Sequence, residues 1–415
     1  MNVTLVIPSR NNLKYVKFAY ESIRNHIGND VEIVLLDDAS TDRTWEFMRL
    51  LPTFDKNVKI YRNEGPERVG HTVLYDIGAK LASNEVFGIF HADMIATPNY
   101  IKNMTKHVKR GVVVSGTRIE PPLHPPGPEK IVEDFGMEPE VFKMKEFLQF
   151  VETQENINKD KTTAGIFAPW MMYVEDFFAI GGHDKRLFAP MELEDSDLFN
   201  RFLLKGYKFV QSRDALVYHM TCRGSRFKDG VQIAMEIPVG GGKVWKRSKD
   251  SEEYTALRQI KFREWWRKWH MNVLHDDMMM PKICKRYDIG YVIRNTTPQI
   301  LNFLEPWSDT IYVDLSQRNV ALYLTEEQKI SHYNIENRVK LVNAEKTNNI
   351  LVEFDAMNFK QEHVKFIEDM MFIIEDSGEI GEFEYDIFKF TIKSMESYED
   401  KLIHADDQWL LSQLK

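Results

Sequence analysis

Two hydrophobic periodicities alternate through the first hundred residues, and that alternation restricts the chain to few folds. Val3 to Ile7 is a short β-branched run that stops at Pro8, and from Leu13 apolar residues recur at Val16, Ala19, Tyr20, Ile23 and Ile27. The first spacing predicts a strand and the second an amphipathic helix. The pattern repeats. Glu32 to Leu36 reads as a strand, Asp42 is placed to cap a helix over Thr44 to Leu51, and Val58 to Tyr61 reads as another strand. A helix over His71 to Ala82 then leads into a strand at Val86 to Phe90, with Pro98 in the first turn of a further helix. Such a βα alternation implies a parallel or mostly parallel sheet flanked by helices.

Ligands of such sheets bind beyond the carboxyl ends of the strands. Those ends carry Pro8-Ser9-Arg10-Asn11-Asn12, then Asp37-Asp38-Ala39-Ser40, then His91-Ala92-Asp93-Met94. Polar and acidic groups therefore gather at one edge. Adjacent carboxylates after a buried strand suit the hydroxyls and N–H groups of a nucleoside, although an Asp there also caps a helix without any ligand.

A second acidic cluster, Glu192-Leu193-Glu194-Asp195-Ser196-Asp197-Leu198, opens an apolar helix ending at Gly206. It can hold one carboxylate as a positioned base, or its acids can serve the positive end of the helix dipole. Before it, Pro121, Pro122, Pro125, Pro126 and Pro128 make a stiff extended loop, either a surface connection or one wall of a site. A helix is expected from Pro139 to Glu155. After it, a strand at Ala215 to Tyr218 ends in His219, and a basic stretch from Arg223 contains Gly240-Gly241-Gly242. The helix that follows holds Trp265, Trp266 and Trp269, whose spacing favours packing over ligand stacking.

These segments resemble the glycosyltransferases of family two, which have the GT-A fold. The likeness runs over about residues 1–270 and rests on several motifs in the family's order. Those are the opening strand, Asp37-Asp38-Ala39-Ser40-Thr41-Asp42, Asp93, Gly165 with its following strand, Gly181-Gly182-His183-Asp184, Glu194-Asp195 and His219. It implies a Rossmann-like, mostly parallel sheet with flanking helices, and an inverting transfer of a sugar from a nucleoside-diphosphate sugar to an acceptor hydroxyl. By the same likeness Asp195 is the general base with Glu194 beside it. Pro8, Ser9, Arg10, Asn12, Asp37, Asp38, Arg223 and Arg226 would contact the donor, and Gly165 would face its sugar.

The chain departs from the family pattern in two places. The usual Asp-x-Asp is reduced to His91-Ala92-Asp93-Met94, so a divalent cation, Mn²⁺ or Mg²⁺, would rest on Asp93, His91 and His219, a donor set that suits Mn²⁺. The family's Arg-Asn ahead of it appears as Tyr75-Asp76, which removes the expected donor contact there. Two other readings compete. A sugar nucleotidylyltransferase would need a glycine-rich loop after the first strand, where this chain has Pro8 to Asn12; a non-catalytic nucleotide- or carbohydrate-binding module is disfavoured by the intact Glu194-Asp195.

Charge divides the chain. Residues 286–415 hold 24 acidic against 13 basic side chains, whereas the net charge of the whole is −9. The change of sign near residue 285 predicts a transferase domain over 1–280 and a smaller acidic α/β domain over 286–415, with roles in acceptor docking or self-association. In that domain strands are expected at Asp288 to Arg294, Ile311 to Asp314, Val339 to Val342 and Ile350 to Phe354, with helices after Thr297-Pro298 and over Phe359 to Ile374. Its acidity argues against nucleic acid as a partner. With no run of apolar residues long enough to span a bilayer, and only Cys222 and Cys284, the chain is expected to be cytoplasmic. The acceptor class stays open among glycan, lipid-linked and protein hydroxyls.

Overall fold

The computed structural model describes residues 1–221, 235–239, 243–247 and 251–405. The strands of the first sheet are β1 (Val3–Ser9), β2 (Glu32–Asp38), β3 (Val58–Asn63), β4 (Val86–Ile89), β5 (Met94–Ala96), β6 (Val112–Glu120), β7 (Lys130–Val132), β8 (Thr162–Thr163), β9 (Trp170–Tyr173) and β10 (Lys208–His219). Their order is β3-β2-β1-β4-β9-β6-β10-β5, with β7 on β6 and β8 on β10. The β3-β2-β1-β4 half is parallel. Strand β9 then enters antiparallel between β4 and β6, and β10 runs parallel to β6.

Helices α1 (Leu13–His26) and α3 (His71–Leu81) cover opposite faces of this sheet. Alternation along β1 explains why both faces need cover. Val3, Leu5 and Ile7 pack with Val16, Ala19 and Ile23 of α1, whereas Val6 packs with Val73 and Ile77 of α3. The α3 contact is close enough to require glycine: a Cβ on Gly78 would lie 2.2 Å from Val6 Cγ1.

The remaining helices of this region are α2 (Thr44–Met48), α4 (Tyr100–Thr105), α5 (Met144–Ile157), α6 (Val174–Phe178), α7 (Lys185–Phe188), α8 (Glu194–Leu204) and α9 (Glu252–Trp269). The helix expected from Pro139 divides into a 3₁₀ turn at Pro139–Val141 and α5. Phe142 between them is extended and packs its half-buried ring against Phe147 and Tyr218, which stops one helix and starts the next. Short hairpins follow: β11 (Met235–Val239) with β12 (Lys243–Arg247), and β13 (Leu274–His275) with β14 (Pro281–Lys282).

The C-terminal region has its own six-stranded sheet. Strands β15 (Ile289–Arg294), β16 (Thr310–Val313), β17 (Val339–Leu341) and β18 (Ile350–Asp355) are parallel. A hairpin of β19 (Gly381–Tyr385) and β20 (Phe388–Ile392) adds antiparallel to β18. Helices α10 (Pro298–Leu304), α11 (Gln317–Gln328), α12 (Ile335–Arg338) and α13 (Glu362–Ser377) accompany it. Thr297 caps α10 by accepting the Ile300 N–H, as its Thr-Pro start predicts.

Helix α9 joins the two sheets. Trp265 and Trp269 lie in one hydrophobic core with Leu187 and Phe188 on one side and Ile289, Ile311 and Val352 on the other. Arg267 is buried and donates to Glu305, with Nη2 2.6 Å from Oε2. Trp266 stacks on Trp307 with centroids 4.8 Å apart. The tryptophans therefore pack rather than line a ligand site, and no helix among the described residues is long and apolar enough to cross a membrane.

Candidate active site

The strand ends of β1, β2 and β4 and the first turns of α3 and α8 enclose a cavity of about 520 Å³. Pro8, Ser9, Arg10, Asn12 and Asp38 line one part of it, as expected from the sequence. Ser9 Oγ is buried there without a hydrogen-bond partner among the described residues, which leaves a polar atom for a ligand to satisfy. Arg10 Nη1 donates to the Asp38 carbonyl at 2.7 Å. The Asp38 carboxylate accepts the Val69 and Gly70 N–H groups, each at 2.9 Å, and so fixes the approach to α3. Gly70 has φ +81°, and a Cβ there would lie 1.9 Å from the Pro190 carbonyl oxygen; only glycine lets these two loops meet.

Asp37 stands apart from this wall. It does not line the cavity; its carboxylate is fully buried, accepts the Ser40 N–H and sits 3.5 Å from Arg62 Nε. Successive strand residues face opposite sides, so Asp37 and Asp38 cannot both point into one site. Gly165 is likewise outside, its N–H directed at Met280 Sδ, and Phe167 takes the place in the wall. Arg223 and Arg226 lie outside the described residues.

His91, Asp93 and His219 come together, with one potential ligand atom of each within 4.8 Å of the others. Strand pairing brings in a residue that no sequence motif marked. Because β6 and β10 run in register with Ile119 beside Tyr218, Glu120 ends next to His219, and Glu120 Oε1 lies 2.7 Å from His219 Nδ1. The other ring nitrogen is 3.4 Å from Asp93. Burial opposes a charge on His219, but the carboxylates of Asp93 and Glu120 outweigh it and push the pKa up to about 9. Desolvation of the half-buried His91 ring, with His219 beside it, pushes its pKa down to about 3. The Glu120 carboxylate is held far below the usual range because Arg118, His219 and Lys130 overcome its burial. Two imidazoles and a carboxylate, one imidazole oriented by a further carboxylate, form a donor set suited to a divalent cation.

Glu194 and Asp195 occupy the first turn of α8, entered through a strained loop in which Glu192 has φ +85° and Leu193 φ +66°. Burial and the neighbouring Glu194 charge raise the Asp195 carboxyl to about 6. Glu194 itself is held below its ordinary value; burial works against this, and the charge and hydrogen bond of His71 overcome it. His71 Nε2 and Glu194 Oε1 lie 2.5 Å apart. Asp197 does not line the cavity. It is buried between Arg201 Nε at 2.7 Å, Lys268 Nζ at 2.6 Å and Trp269 Nε1 at 3.0 Å. Lys268 also reaches Asp184 at 2.8 Å, so α9 ties the Gly181-Gly182-His183-Asp184 turn to α8.

The departures from the family pattern connect to one another. Asp76, in place of the family's Asn, is fully buried and takes His183 Nδ1 and Lys185 Nζ, both at 2.6 Å. Tyr75 lines the cavity and stacks between His183 and His91, with centroids at 5.9 and 6.4 Å. Residue 75 thus contacts the site although the arginine expected there is missing. The sequence also did not mark Arg68, His71, His124 or Tyr254, all of which line the cavity. His124 shows that the proline-rich loop reaches the site. Tyr254, from the first turn of α9, donates to Glu192.

Residues 4–175 match the model of the family described as Glycosyl transferase family 2. Among curated proteins, 112 residues are 32% identical to a dolichol-phosphate mannosyltransferase of Pyrococcus furiosus, covering 27% of this chain and 31% of the relative. A further 26% identity over 120 residues relates it to an uncharacterized glycosyltransferase of Haemophilus influenzae, covering 28% and 36%. The chain therefore spans about a third of the length of these relatives. A solved mannosyltransferase of Pyrobaculum calidifontis, in complex with GDP-Man and Mn²⁺, aligns with a TM-score of 0.38 and 18% identity over 52% of this chain and 56% of that one.

Proposed function

We infer that the protein is an inverting glycosyltransferase that moves a sugar from a nucleoside-diphosphate sugar to an acceptor hydroxyl. One observation carries the reading: a single cavity holds both the group His91, Asp93 and His219 and the Asp195 carboxyl, whose pKa of about 6 suits a base near neutral pH. Pro8, Ser9, Arg10, Asn12 and Asp38 are the donor-binding wall. His91, Asp93 and His219 would hold a divalent cation, Mn²⁺ better than Mg²⁺ given two imidazoles, and its charge would favour departure of the diphosphate.

The remaining chemistry belongs to the side chains. The acceptor oxygen attacks the anomeric carbon as the bond from that carbon to the diphosphate oxygen breaks. The electron pair leaves with the nucleoside diphosphate, and the acceptor proton passes to Asp195. Burial raises the proton affinity of the deprotonated Asp195 carboxylate, and the negative charge of Glu194, tied to His71, raises it further. A single displacement with one base inverts the anomeric centre.

The test is a panel of nucleotide sugars with MnCl₂ and the full chain. Binding by calorimetry, release of nucleoside diphosphate and an inverted product by NMR support the reading. A panel in which nothing binds or turns over removes it.

A further inference from the structure

More carboxylate lines the α8 part of the cavity than proton abstraction requires. Glu192, Glu194 and Asp195 all line it, whereas transfer to a hydroxyl needs one base. Glu192 is held by the Tyr254 hydroxyl and by Arg258 Nε at 3.3 Å. Glu194 is held at one oxygen only. Its Oε1 meets His71, while Oε2 is buried with no hydrogen-bond partner among the described residues, in a side chain that is 6% exposed. A buried carboxylate oxygen left without a donor is costly, and the cavity it lines is where a donor can enter.

The same charges bear on what kind of acceptor fits. A phosphate acceptor brings its own negative charge and has no proton to surrender, so it would meet Glu192, Glu194 and Asp195 without using the base. Among the described cations of the cavity wall, Arg10 is turned to the Asp38 carbonyl, Arg68 reaches Met191 Sδ at 3.6 Å, His71 is engaged by Glu194, and His219 lies between Glu120 and Asp93. A neutral polyhydroxy compound has the opposite property, since each of its O–H groups is a donor to a carboxylate.

Resting on the glycosyl-transfer reading, we propose that the acceptor is a neutral sugar-like group with vicinal hydroxyls, one surrendering its proton to Asp195 and its neighbour donating to Glu194 Oε2, and not a lipid phosphate. Glu194 is then a specificity determinant as well as the neighbour of the base. In the transfer, the first hydroxyl oxygen bonds to the anomeric carbon, the nucleoside diphosphate leaves with its electron pair, and the second hydroxyl stays intact on Glu194.

The experiment uses the full chain, MnCl₂ and whichever of UDP-glucose, UDP-N-acetylglucosamine and GDP-mannose binds by calorimetry. The acceptors are methyl glucoside, methyl galactoside and methyl mannoside, their monodeoxy analogues, and phytanyl phosphate. Transfer to a methyl glycoside is expected, with kcat/KM roughly ten- to a hundredfold lower when the hydroxyl beside the attacked one is missing, the usual worth of a hydrogen bond to a charged group. Phytanyl phosphate should not react. Glu194→Gln should raise KM for the glycoside while leaving donor affinity in place, and the deoxy comparison on the unaltered chain stands even if that variant fails to fold. Equal efficiency with the deoxy analogue, reaction with phytanyl phosphate at a comparable rate, or donor binding with transfer to none of these acceptors overturns the proposal. Turnover confined to phytanyl phosphate would leave glycosyl transfer standing and remove only this inference, whereas failure of every nucleotide sugar to bind or hydrolyse removes both.

Discussion

His71 Nε2 lies 2.5 Å from Glu194 Oε1, joining the first turn of α3 to the first turn of α8 beside Asp195. The pair sets the field in which Asp195 titrates: Glu194 raises the Asp195 pKa and His71 lowers it, and with burial the result is about 6. A base is active when deprotonated, so kcat should rise as pH increases through about 6. Glu194→Gln removes the raising charge and should move this limb to lower pH, whereas His71→Gln should move it higher. Limbs that shift together, measured by initial rates across pH, would refute the linkage.

Asp195→Asn should lower turnover by roughly two to four orders of magnitude with nucleotide affinity unchanged. It should also stabilise the fold at pH 7.5. A carboxyl raised from 3.8 to about 6 in the folded state contributes stability below its unfolded pKa that is lost as pH climbs through the folded value. Removing the charge recovers about 1–2 kcal/mol, read as a higher urea midpoint. An unchanged midpoint together with undiminished turnover would exclude Asp195 as a strained base.

Glu120→Gln should weaken Mn²⁺ binding by about ten- to a hundredfold, because His219 Nδ1 loses its carboxylate partner at 2.7 Å. A titration of the metal alone measures this without any sugar donor. Asp93→Ala should abolish the same response, and activity that persists unaltered in chelator would show that the leaving group is neutralised by other cations.

Ending the chain at Met280 should expose the Trp265, Trp269 and Met271 side of the core shared with Ile289 and Ile311, and leave Arg267 buried without Glu305. We expect the shortened chain to lose cooperative unfolding or to aggregate. A monomeric, folded product that binds nucleotide with full affinity would instead establish residues 1–280 as an independent unit.

Much of the region built on the first sheet was legible because its signals are local. The βα alternation sets which face of each strand is buried, and Asp38, Asp93, Asp195 and His219 stand at strand or helix ends where short motifs place them. The C-terminal strands were equally legible from β-branched runs, and α10 from its Thr-Pro start. Helix α11, with little apolar periodicity, and the β19–β20 hairpin were not.

By itself the sequence determined the layered α/β architecture and the acids at one edge of the first sheet, since periodicity and strand ends are properties of neighbouring residues. Only the tertiary structure decided which of those groups meet. Glu120 reaches His219 through the register of β6 and β10, and His71 reaches Glu194 across a span of 123 residues. Asp37 is turned away while Asp38 faces the cavity, and Tyr254 arrives on a helix that also belongs to the second core. These contacts fix the charge on each carboxylate, because pKa depends on burial and on partners that no local pattern records.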